Sequence, residues 1–393
     1  MAAVGPDAGR PHSISESTPA SSDTGVVAEM VGRPLRFDSP HYRPTDGYAD
    51  VACDKIERAS TLLGVCDTER KEMLELVREL CGAWGELPVG NPPERACWVS
   101  IDGMPFEISF AWADSATELR LSLESPSHPG TAIARQRDGM AFTRGLASRS
   151  GVSIERYLAV EDLFTNPDPQ GFFALSHGVA WRRGGHPLYK VYLNPAIAGR
   201  EQSAARTEEA MIRLGLERPW QALADHLGGV DNIARQPAAL ALDLSDAPAA
   251  RCKVYLAHSG ITADAIDAQA AVARDHVPGS FVRALAAVTG HREPSGWHKP
   301  PVTCWGFDST QPLPTAVLYL PLIPGHPDDA TARDRVSDFM RSEGTDPAPY
   351  AAALDTLADR PLGESRTQNF LSYRGGPQPR FAVYVAPGVY RAA

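Results

Sequence analysis

The chain has 393 residues, and its 38 Lys and Arg against 48 Asp and Glu give a formal net charge of −10 at pH 7. An acidic chain without a basic run is poorly suited to nucleic acid or to an anionic membrane surface, so functional cations are expected in the interior. We therefore expect no nucleic-acid partner and no membrane contact. We also predict no obligatory protein partner.

The first 45 residues are rich in Gly, Pro, Ser and Thr and hold no apolar stretch long enough for a signal peptide or a membrane span. We expect 1–45 to be a flexible arm and 46–393 to be a single domain. Ordered structure is predicted to begin with helices at 48–64 and 67–85. The second helix is expected to begin with Asp67 as its N-cap.

Alternating apolar residues and turn residues predict five hairpins in the rest of the chain. The first is assigned to strands at 97–101 and 105–112 and to a last strand that ends near Glu124. The other four are assigned to 172–195, 239–255, 301–322 and 370–384. Helices are expected up to about 165 and at 203–227, 262–274, 279–289, 329–342 and 347–358.

A short strand motif recurs at almost constant spacing in these hairpins. Its tyrosines, Tyr192, Tyr255, Tyr319 and Tyr384, are 63, 64 and 65 residues apart. The segment 118–124, about one period earlier, is a fifth alternating strand with a cation on it. A period of this length suits one αββα unit. The pattern therefore predicts an α+β fold, a ten-stranded antiparallel barrel of five αββα repeats with helices outside and a ligand-sized lumen.

Strand alternation places cations on the same faces as these tyrosines, because residues two apart on a strand share a face. The residues grouped in this way are Arg120 with Ser122, Lys190 with Tyr192, and Arg251 with Lys253 and Tyr255. In a closed barrel these faces converge on the lumen. Unpaired cations are costly in an apolar interior, so the lumen should be wet or should bind an anion. The alternative is that these are solvent faces of ordinary sheets, which recurrence in five units disfavours.

The remaining polar motifs give no sign of a metal site. The cysteines show no Cys-x-x-Cys pair and no histidine at metal spacing, as expected for reduced thiols in a cytoplasmic protein without disulfides or zinc. Asp328 and Asp329 have the wrong spacing, together with Asp334, for an aspartate-rich magnesium motif. We interpret them as the acidic start of a helix.

Three segments carry the most specific motifs: Asp-Gly-Met-Pro-Phe-Glu-Ile-Ser-Phe at 102–110, Lys-Val-Tyr at 190–192, and Asp-Leu-Ser-Asp-Ala-Pro-Ala-Ala-Arg-Cys-Lys-Val-Tyr at 243–255. Over about residues 50–393 the chain resembles the dimethylallyltryptophan synthase family of indole prenyltransferases, and specifically its bacterial branch. The resemblance implies the αββα (ABBA) prenyltransferase barrel. It also implies transfer of a dimethylallyl or geranyl group from its diphosphate to the indole ring of tryptophan or a tryptophan-derived metabolite, by electrophilic aromatic substitution.

The resemblance also implies roles for individual residues. Glu107 matches the carboxylate that hydrogen-bonds the indole N–H and helps to remove the proton. The diphosphate would be bound by Arg120, Lys190, Arg251 and Lys253, with Arg374 as a fifth cation. The allyl cation would be shielded by Tyr192, Tyr255, Tyr319 and Tyr384.

The chain departs from the family pattern at several positions. Val317 replaces a polar residue, and Phe370 stands where a tyrosine is common. The family's further lysine near the indole is matched only by Arg182 or Arg183, which leaves the secondary proton relay open.

Four or five interior cations would neutralise the diphosphate without a metal, so no cofactor is expected to be required and Mg²⁺ would at most stimulate turnover. Two alternatives stay open, a prenyltransferase of a phenolic acceptor and a non-catalytic anion-binding barrel. Glu107 favours the enzyme, because an anion binder gains nothing from a carboxylate that faces its cations.

Overall fold

Ten strands form one closed antiparallel barrel in the computed structural model, which describes residues 34–113, 116–230, 235–297 and 299–392. In chain order the strands are β1 (Leu35–Phe37), β2 (Phe106–Ala113), β3 (Ala116–Leu123), β4 (Leu175–Trp181), β5 (Leu188–Leu193), β6 (Arg235–Asp243), β7 (Cys252–His258), β8 (Val302–Phe307), β9 (Thr315–Pro321), β10 (Gln368–Arg374), β11 (Arg380–Val385) and β12 (Tyr390–Ala392). Neighbours in the barrel follow chain order from β2 to β11, and β11 pairs with β2 to close it. The predicted barrel is confirmed.

Pairs of helices connect successive hairpins and cover the outer face of the barrel. They are α1 (Tyr48–Ser60), α2 (Asp67–Cys81), α3 (Ala132–Leu146), α4 (Glu155–Leu158), α5 (Ser203–Arg213), α6 (Glu217–Leu227), α7 (Ala263–Ala270), α8 (Ser280–Thr289), α9 (Asp329–Ser342) and α10 (Ala348–Leu357). Outward side chains such as Val191, Val254 and Leu318 are completely buried in one continuous apolar core with these helices. Burial of this core is the main contribution that stabilises the barrel.

The two ends of the barrel differ in how the strands are connected. At the hairpin end, a short connection joins the two strands of each hairpin. At the helix end, the helix pairs lead from one hairpin to the next. Because β3, β5, β7, β9 and β11 all run from the hairpin end to the helix end, the place of a residue along its strand gives its depth in the lumen.

The first predicted hairpin is wrong in part, because 97–101 is not a strand. This segment folds into a turn in which the Cys97 N–H donates to the carbonyl of Gly103 at 3.0 Å. The Trp98 N–H donates to Glu124 Oε2 at 2.6 Å, and Arg135 Nη1 donates to Glu124 Oε1 at 3.0 Å. A buried ion pair therefore holds the segment at the helix end, and the hairpin consists of β2 and β3.

The start of α2 also differs from its prediction. Cys66 is the N-cap and Asp67 is the first helical residue. The Glu69 carboxylate accepts a hydrogen bond from the Cys66 N–H at 2.9 Å, which satisfies one free donor of the first turn. The helix ends at Cys81 because Gly82 adopts a left-handed φ of 52°.

The chain joins the folded domain before the predicted boundary at residue 46. The strand β1 pairs antiparallel with β12, and the Asp38 N–H donates to the carbonyl of Val389 at 2.9 Å. The hydroxyl of Tyr42 donates to Asp54 on α1 at 2.6 Å. Residues 34–45 are therefore part of the domain, and 1–33, the rest of the predicted arm, lie outside the described residues.

Candidate active site

The barrel has a hollow interior that water reaches. Along β5, β7 and β9 the outward residues are buried under helices, whereas the inward residues keep partial exposure. Many inward positions carry small side chains, which leaves space between the larger ones. These small residues include Ala111, Gly178, Ala180, Ala239, Ala241, Cys304, Gly306 and Ala382.

Two groups of charged side chains line the lumen toward the hairpin end. In the first, Glu118 accepts hydrogen bonds from the Nε atoms of two arginines, Arg120 on the same strand and Arg182 at 2.7 Å. Burial by itself disfavours the charged carboxylate. The two guanidinium groups outweigh this effect and lower the pKa of Glu118 to about 2.

In the second group, Asp243 is shared by Lys190 and Arg251. Lys190 Nζ donates to one carboxylate oxygen, and Arg251 Nε donates to the other at 2.8 Å. Burial disfavours the charge on Asp243, but the two cations outweigh it and hold the pKa of Asp243 below its usual range. Burial lowers the pKa of Lys190, and Asp243 opposes that shift.

Lys253 lies on the same face of β7 as Arg251 but has a different environment. No carboxylate of the described residues lies within 4.0 Å of its ammonium group, so it has the weakest compensation in the cluster. Burial, together with the cations Arg251, Lys190 and Arg120, lowers the pKa of Lys253 to about 7. An anion bound at this position would restore the charged form.

The structure thus brings together four of the predicted cations, Arg120, Lys190, Arg251 and Lys253, which we call the cation cluster. The sequence analysis missed Glu118 and Asp243, which pair with three of its members. Alternation offered the missing signal, because Glu118 is two residues before Arg120 on one strand. The two carboxylates fix the cations in place, and the cations still outnumber them.

Arg374, the fifth predicted cation, contacts different charged groups. Its Nη1 donates to Asp275 Oδ2 at 3.1 Å, and its charged neighbours are Arg380 and Arg274. These residues line a cavity of about 710 Å³ between the β10–β11 turn and the segment before α8. The structure therefore places Arg374 at the rim of the hairpin end.

A layer of aromatic rings lies one inward position beyond the lysines, toward the helix end. Ring centroids are 6.2 Å apart for Tyr192 and Tyr255, 5.7 Å for Tyr255 and Tyr319, and 5.5 Å for Tyr319 and Tyr384. Burial raises the pKa of each of these phenols, so all four are neutral at physiological pH. Phe370 extends the layer, with its centroid 6.0 Å from that of Tyr319.

Glu107 is buried near the helix end, on β2, in a chain of three polar side chains. Asn369 Nδ2 donates to Glu107 Oε1 at 2.7 Å, and Lys299 Nζ donates to Asn369 Oδ1. Burial raises the pKa of Glu107 and lowers that of Lys299, and the charge of each opposes the shift of the other. The carboxylate is thus far along the lumen from Glu118 and Asp243 and has its own partners.

The candidates for a secondary relay, Arg182 and Arg183, lie at the opposite end. Arg182 pairs with Glu118, and Arg183 is exposed in the β4–β5 turn. Neither reaches Glu107, because the turn of this hairpin is at the hairpin end. The cation near Glu107 is Lys299, which the sequence analysis missed together with Asn369.

The acidic residues Asp328 and Asp329 are part of a helix start, as predicted. Asp328 accepts from the Thr331 N–H at 2.7 Å as N-cap of α9. Asp329 accepts from the N–H groups of Thr367 and Gln368, which ties α9 to β10.

Within the described residues, no group of three or more His, Cys, Asp or Glu side chains is arranged to hold a metal ion. None of the helices described is long and apolar enough to span a bilayer.

Known proteins resemble this chain in sequence and in fold. Residues 83–352 match the family model for tryptophan dimethylallyltransferase. The crystal structure of 6-dimethylallyltryptophan synthase from Micromonospora olivasterospora, in complex with DMASPP and Trp, is 30% identical with a TM-score of 0.81, covering 88% of this chain and 99% of that one. The 5-dimethylallyl tryptophan synthase from Streptomyces coelicolor, also in complex with DMASPP and Trp, is 26% identical with a TM-score of 0.79, covering 87% and 96%. AnaPT from Neosartorya fischeri, at 15% identity, a TM-score of 0.69 and coverage of 87% and 93%, shares the fold.

Proposed function

Since this chain belongs to the tryptophan dimethylallyltransferase family, we propose that it is an indole prenyltransferase. The donor would be dimethylallyl or geranyl diphosphate, and the acceptor tryptophan or a tryptophan-derived metabolite such as a cyclic dipeptide or an indolactam. The reaction breaks the bond between the allylic carbon and the diphosphate oxygen, forms a bond to the indole ring, and releases a proton and diphosphate. This chemistry belongs to secondary metabolism, and the reduced thiols expected from the sequence support a cytoplasmic location.

The cation cluster supports binding of the donor diphosphate. Guanidinium and ammonium groups held in place before the reaction stabilise the negative charge that develops on the leaving group. Glu118 and Asp243 fix three of these groups, so little reorganisation is needed when the charge develops. Lys253, the least compensated cation, would gain most from the diphosphate.

Glu107 supports binding and deprotonation of the acceptor. It lies beyond the tyrosine layer, so an indole whose N–H donates to it would present its ring to a cation formed next to the tyrosines. Attack on the cation gives an arenium ion, which must lose a proton to regain aromaticity. A carboxylate within hydrogen-bond reach is a suitable general base for this step.

The observation that carries the proposal is the order of the three layers along the lumen. The cation cluster lies toward the hairpin end, the aromatic layer follows, and Glu107 lies at the helix end. A site that only held an anion would have no use for the four phenol rings or for the distant carboxylate. Tyrosine faces stabilise a carbocation and exclude the water that would otherwise quench it to an alcohol.

The test is to incubate the protein with each diphosphate donor and with tryptophan, a cyclic tryptophan dipeptide, an indolactam or a phenolic acceptor, and to identify products by mass spectrometry. Prenylated indole supports the proposal. Product formed only on the phenol would change the acceptor class. Tight binding of diphosphate without any prenylated product would indicate that the protein is a non-catalytic anion-binding barrel.

We also propose that the reaction needs no metal ion, because the cation cluster would neutralise the leaving group, and that Mg²⁺ at most stimulates turnover. In metal-dependent prenyl transfer, carboxylates hold Mg²⁺ on the diphosphate. Here the carboxylates nearest the cluster, Glu118 and Asp243, are engaged by its own cations.

A further inference from the structure

We propose that Lys299 is a positioning residue that acts on Glu107 through Asn369, orienting the carboxylate toward the acceptor and favouring its ionised form. The inference rests on the proposed function, because Glu107 needs this support only if it accepts a proton. Lys299 does not replace Glu107 as the base in this arrangement. It acts through the Oε1 side of the carboxylate, where Asn369 donates.

Three separate parts of the chain build this hydrogen-bonded chain. Glu107 is on β2, Asn369 is on β10, and Lys299 is on the irregular segment between α8 and β8. All three are buried, with 5%, 8% and 9% of their surface exposed. Burying a carboxylate and an ammonium group is costly unless each has partners, so their joint presence requires the contacts that Asn369 makes.

The amide of Asn369 gives the hydrogen-bonded chain a direction. Its oxygen can only accept and its NH₂ group can only donate. The oxygen accepts from Lys299 Nζ while the NH₂ group donates to Glu107 Oε1. The arrangement is therefore compatible with an ammonium donor at one end and a carboxylate acceptor at the other, the charge state needed for a general base.

The hydrogen bond from Asn369 also decides which carboxylate oxygen is free. Among the described residues, Asn369 is the one side chain that donates to Glu107, and it uses Oε1. The second oxygen, Oε2, is thereby left for the N–H of the acceptor. Loss of Asn369 or of its partner would let the carboxyl group rotate and would spoil this orientation.

Lys299 is held in place by an aromatic ring as well as by the amide. Its Nζ is 3.6 Å from the centroid of the Phe370 ring. Phe370 in turn packs edge-on against Tyr319. The ring supplies a favourable surface for the buried ammonium group and fixes its distance from Asn369. A phenylalanine at this position therefore suits the placement of Lys299.

Three titratable groups act on Glu107 from the surrounding elements. Lys299 favours the ionised form, and Asp102, on the segment before β2, disfavours it. Tyr384 on the neighbouring strand β11 is close enough to interact but is neutral, because burial raises its pKa. The Asp102 carboxylate is satisfied by Ser100, Met104, Gly388 and Val389. Lys299 is therefore the one cation among them that offsets the burial of Glu107.

Removing the positive charge of Lys299 makes the ionised carboxylate of Glu107 less favourable, so the pKa of Glu107 rises. The acidic limb of the profile of kcat/KM against pH should then move to higher pH. A shift of one unit lowers the rate on that limb about tenfold. At pH values above the limb, the variant should regain much of the wild-type rate.

The experiment measures kcat/KM for tryptophan between pH 5 and pH 10 in the wild type, Lys299→Met, Lys299→Arg and Asn369→Leu. We expect the acidic limb of Lys299→Met to move up by about one unit, a fall of roughly tenfold on that limb. Asn369→Leu should move it in the same direction, and Lys299→Arg should keep it near the wild-type position. Lys71→Met, which removes an exposed lysine on α2, is the matched control and should leave the profile unchanged.

If the wild type prenylates indole, two outcomes would overturn the inference about Lys299. One is an equal loss of activity at every pH in Lys299→Met. The other is a loss confined to tryptophan and absent with tryptophan amide, which would mean that Lys299 binds the acceptor's carboxylate. If Lys299→Met does not fold, the profile of Asn369→Leu decides the question. A wild type without indole prenylation would instead refute the proposed function.

Discussion

Tyr319 and Tyr384 hydrogen-bond to each other through their hydroxyl groups, with the two oxygens 3.0 Å apart. Arg120 Nη1 lies 3.5 Å from the Tyr384 hydroxyl, so the pair connects the aromatic layer to the cation cluster. The pair therefore lies between the site proposed for the diphosphate and the space proposed for the allyl cation, with Tyr384 in contact with the cluster. Their hydroxyl groups and their rings should have separable functions.

Replacing Tyr319 by Leu should increase the loss of donor to water. A tyrosine face stabilises a nearby cation by about 0.5 to 2 kcal/mol, so the share of prenyl alcohol among the products should rise roughly 2- to 30-fold. Tyr319→Phe keeps the ring and is the matched control, with little additional alcohol expected. Equal alcohol from both variants would show that the ring does not shield the cation.

Lys190→Met and Lys253→Met should each weaken donor binding and leave acceptor binding almost unchanged. A hydrogen bond to a charged group contributes about 1.5 to 3 kcal/mol, which corresponds to a roughly 10- to 150-fold increase in Kd. Calorimetric titration with a non-hydrolysable thiolodiphosphate analogue gives this constant directly. Weakened indole binding with an unchanged donor Kd would mean that the cation cluster binds the acceptor and not the donor diphosphate.

Glu107→Gln should fold and bind both substrates but turn over slowly. The glutamine oxygen can still accept from Asn369, so the shape of the site is kept while the base is lost. General-base catalysis typically contributes 10²- to 10⁴-fold, and we expect a loss of roughly this size in kcat. Single-turnover product formation measures it, and a rate within threefold of the wild type would remove Glu107 from the mechanism.

Glu118 should make the fold sensitive to acid. Its pKa is about 2 in the folded protein and near 4.5 when unperturbed, so its stabilising effect is complete above the unfolded value and is lost as pH falls toward the folded one. Between pH 6 and pH 3 the wild type should lose on the order of 2 kcal/mol more of its unfolding free energy than Glu118→Gln does. Denaturant titrations at each pH test this, and parallel curves for the two proteins would contradict it.

Activity should persist in excess EDTA, because the cation cluster would neutralise the diphosphate directly. Added Mg²⁺ can speed the release of diphosphate a few-fold, so the diagnostic sample is the one without metal. Product formation is followed by liquid chromatography with and without the chelator. Complete loss of product in EDTA, restored by Mg²⁺, would mean that the cluster is insufficient and that a metal takes part.

The barrel and the position of most of the cation cluster could be predicted from the sequence, because both depend on strand alternation. One residue in two along a regular strand faces the lumen, so Arg120, Lys190 and Lys253 could be placed without a structure. The same rule places Glu118 on the lumen face, two residues before Arg120.

The partners of Glu107, Asn369 and Lys299, could not be predicted, because they lie where alternation fails. The pairing of β10 with β11 shifts between Gln368 and Phe370, so that the adjacent residues Asn369 and Phe370 both contact lumen groups. Lys299 lies on an irregular segment next to Pro300 and Pro301, which has no periodicity to indicate a direction. Likewise, 97–101 has the composition of a strand but is held in a turn by the Glu124 carboxylate.

Closure of the barrel by β11 against β2 has a consequence for biosynthesis. Arg120 and Tyr384, which meet in the finished barrel, are 264 positions apart in the chain. A ribosome releases β2 early and β11 last among the barrel strands, so the nascent sheet has two unpaired edges until residue 385 has emerged. Open strand edges readily pair with other chains. The yield of active protein in a recombinant host should therefore depend on protecting these edges during synthesis, and slower translation at low temperature should increase it.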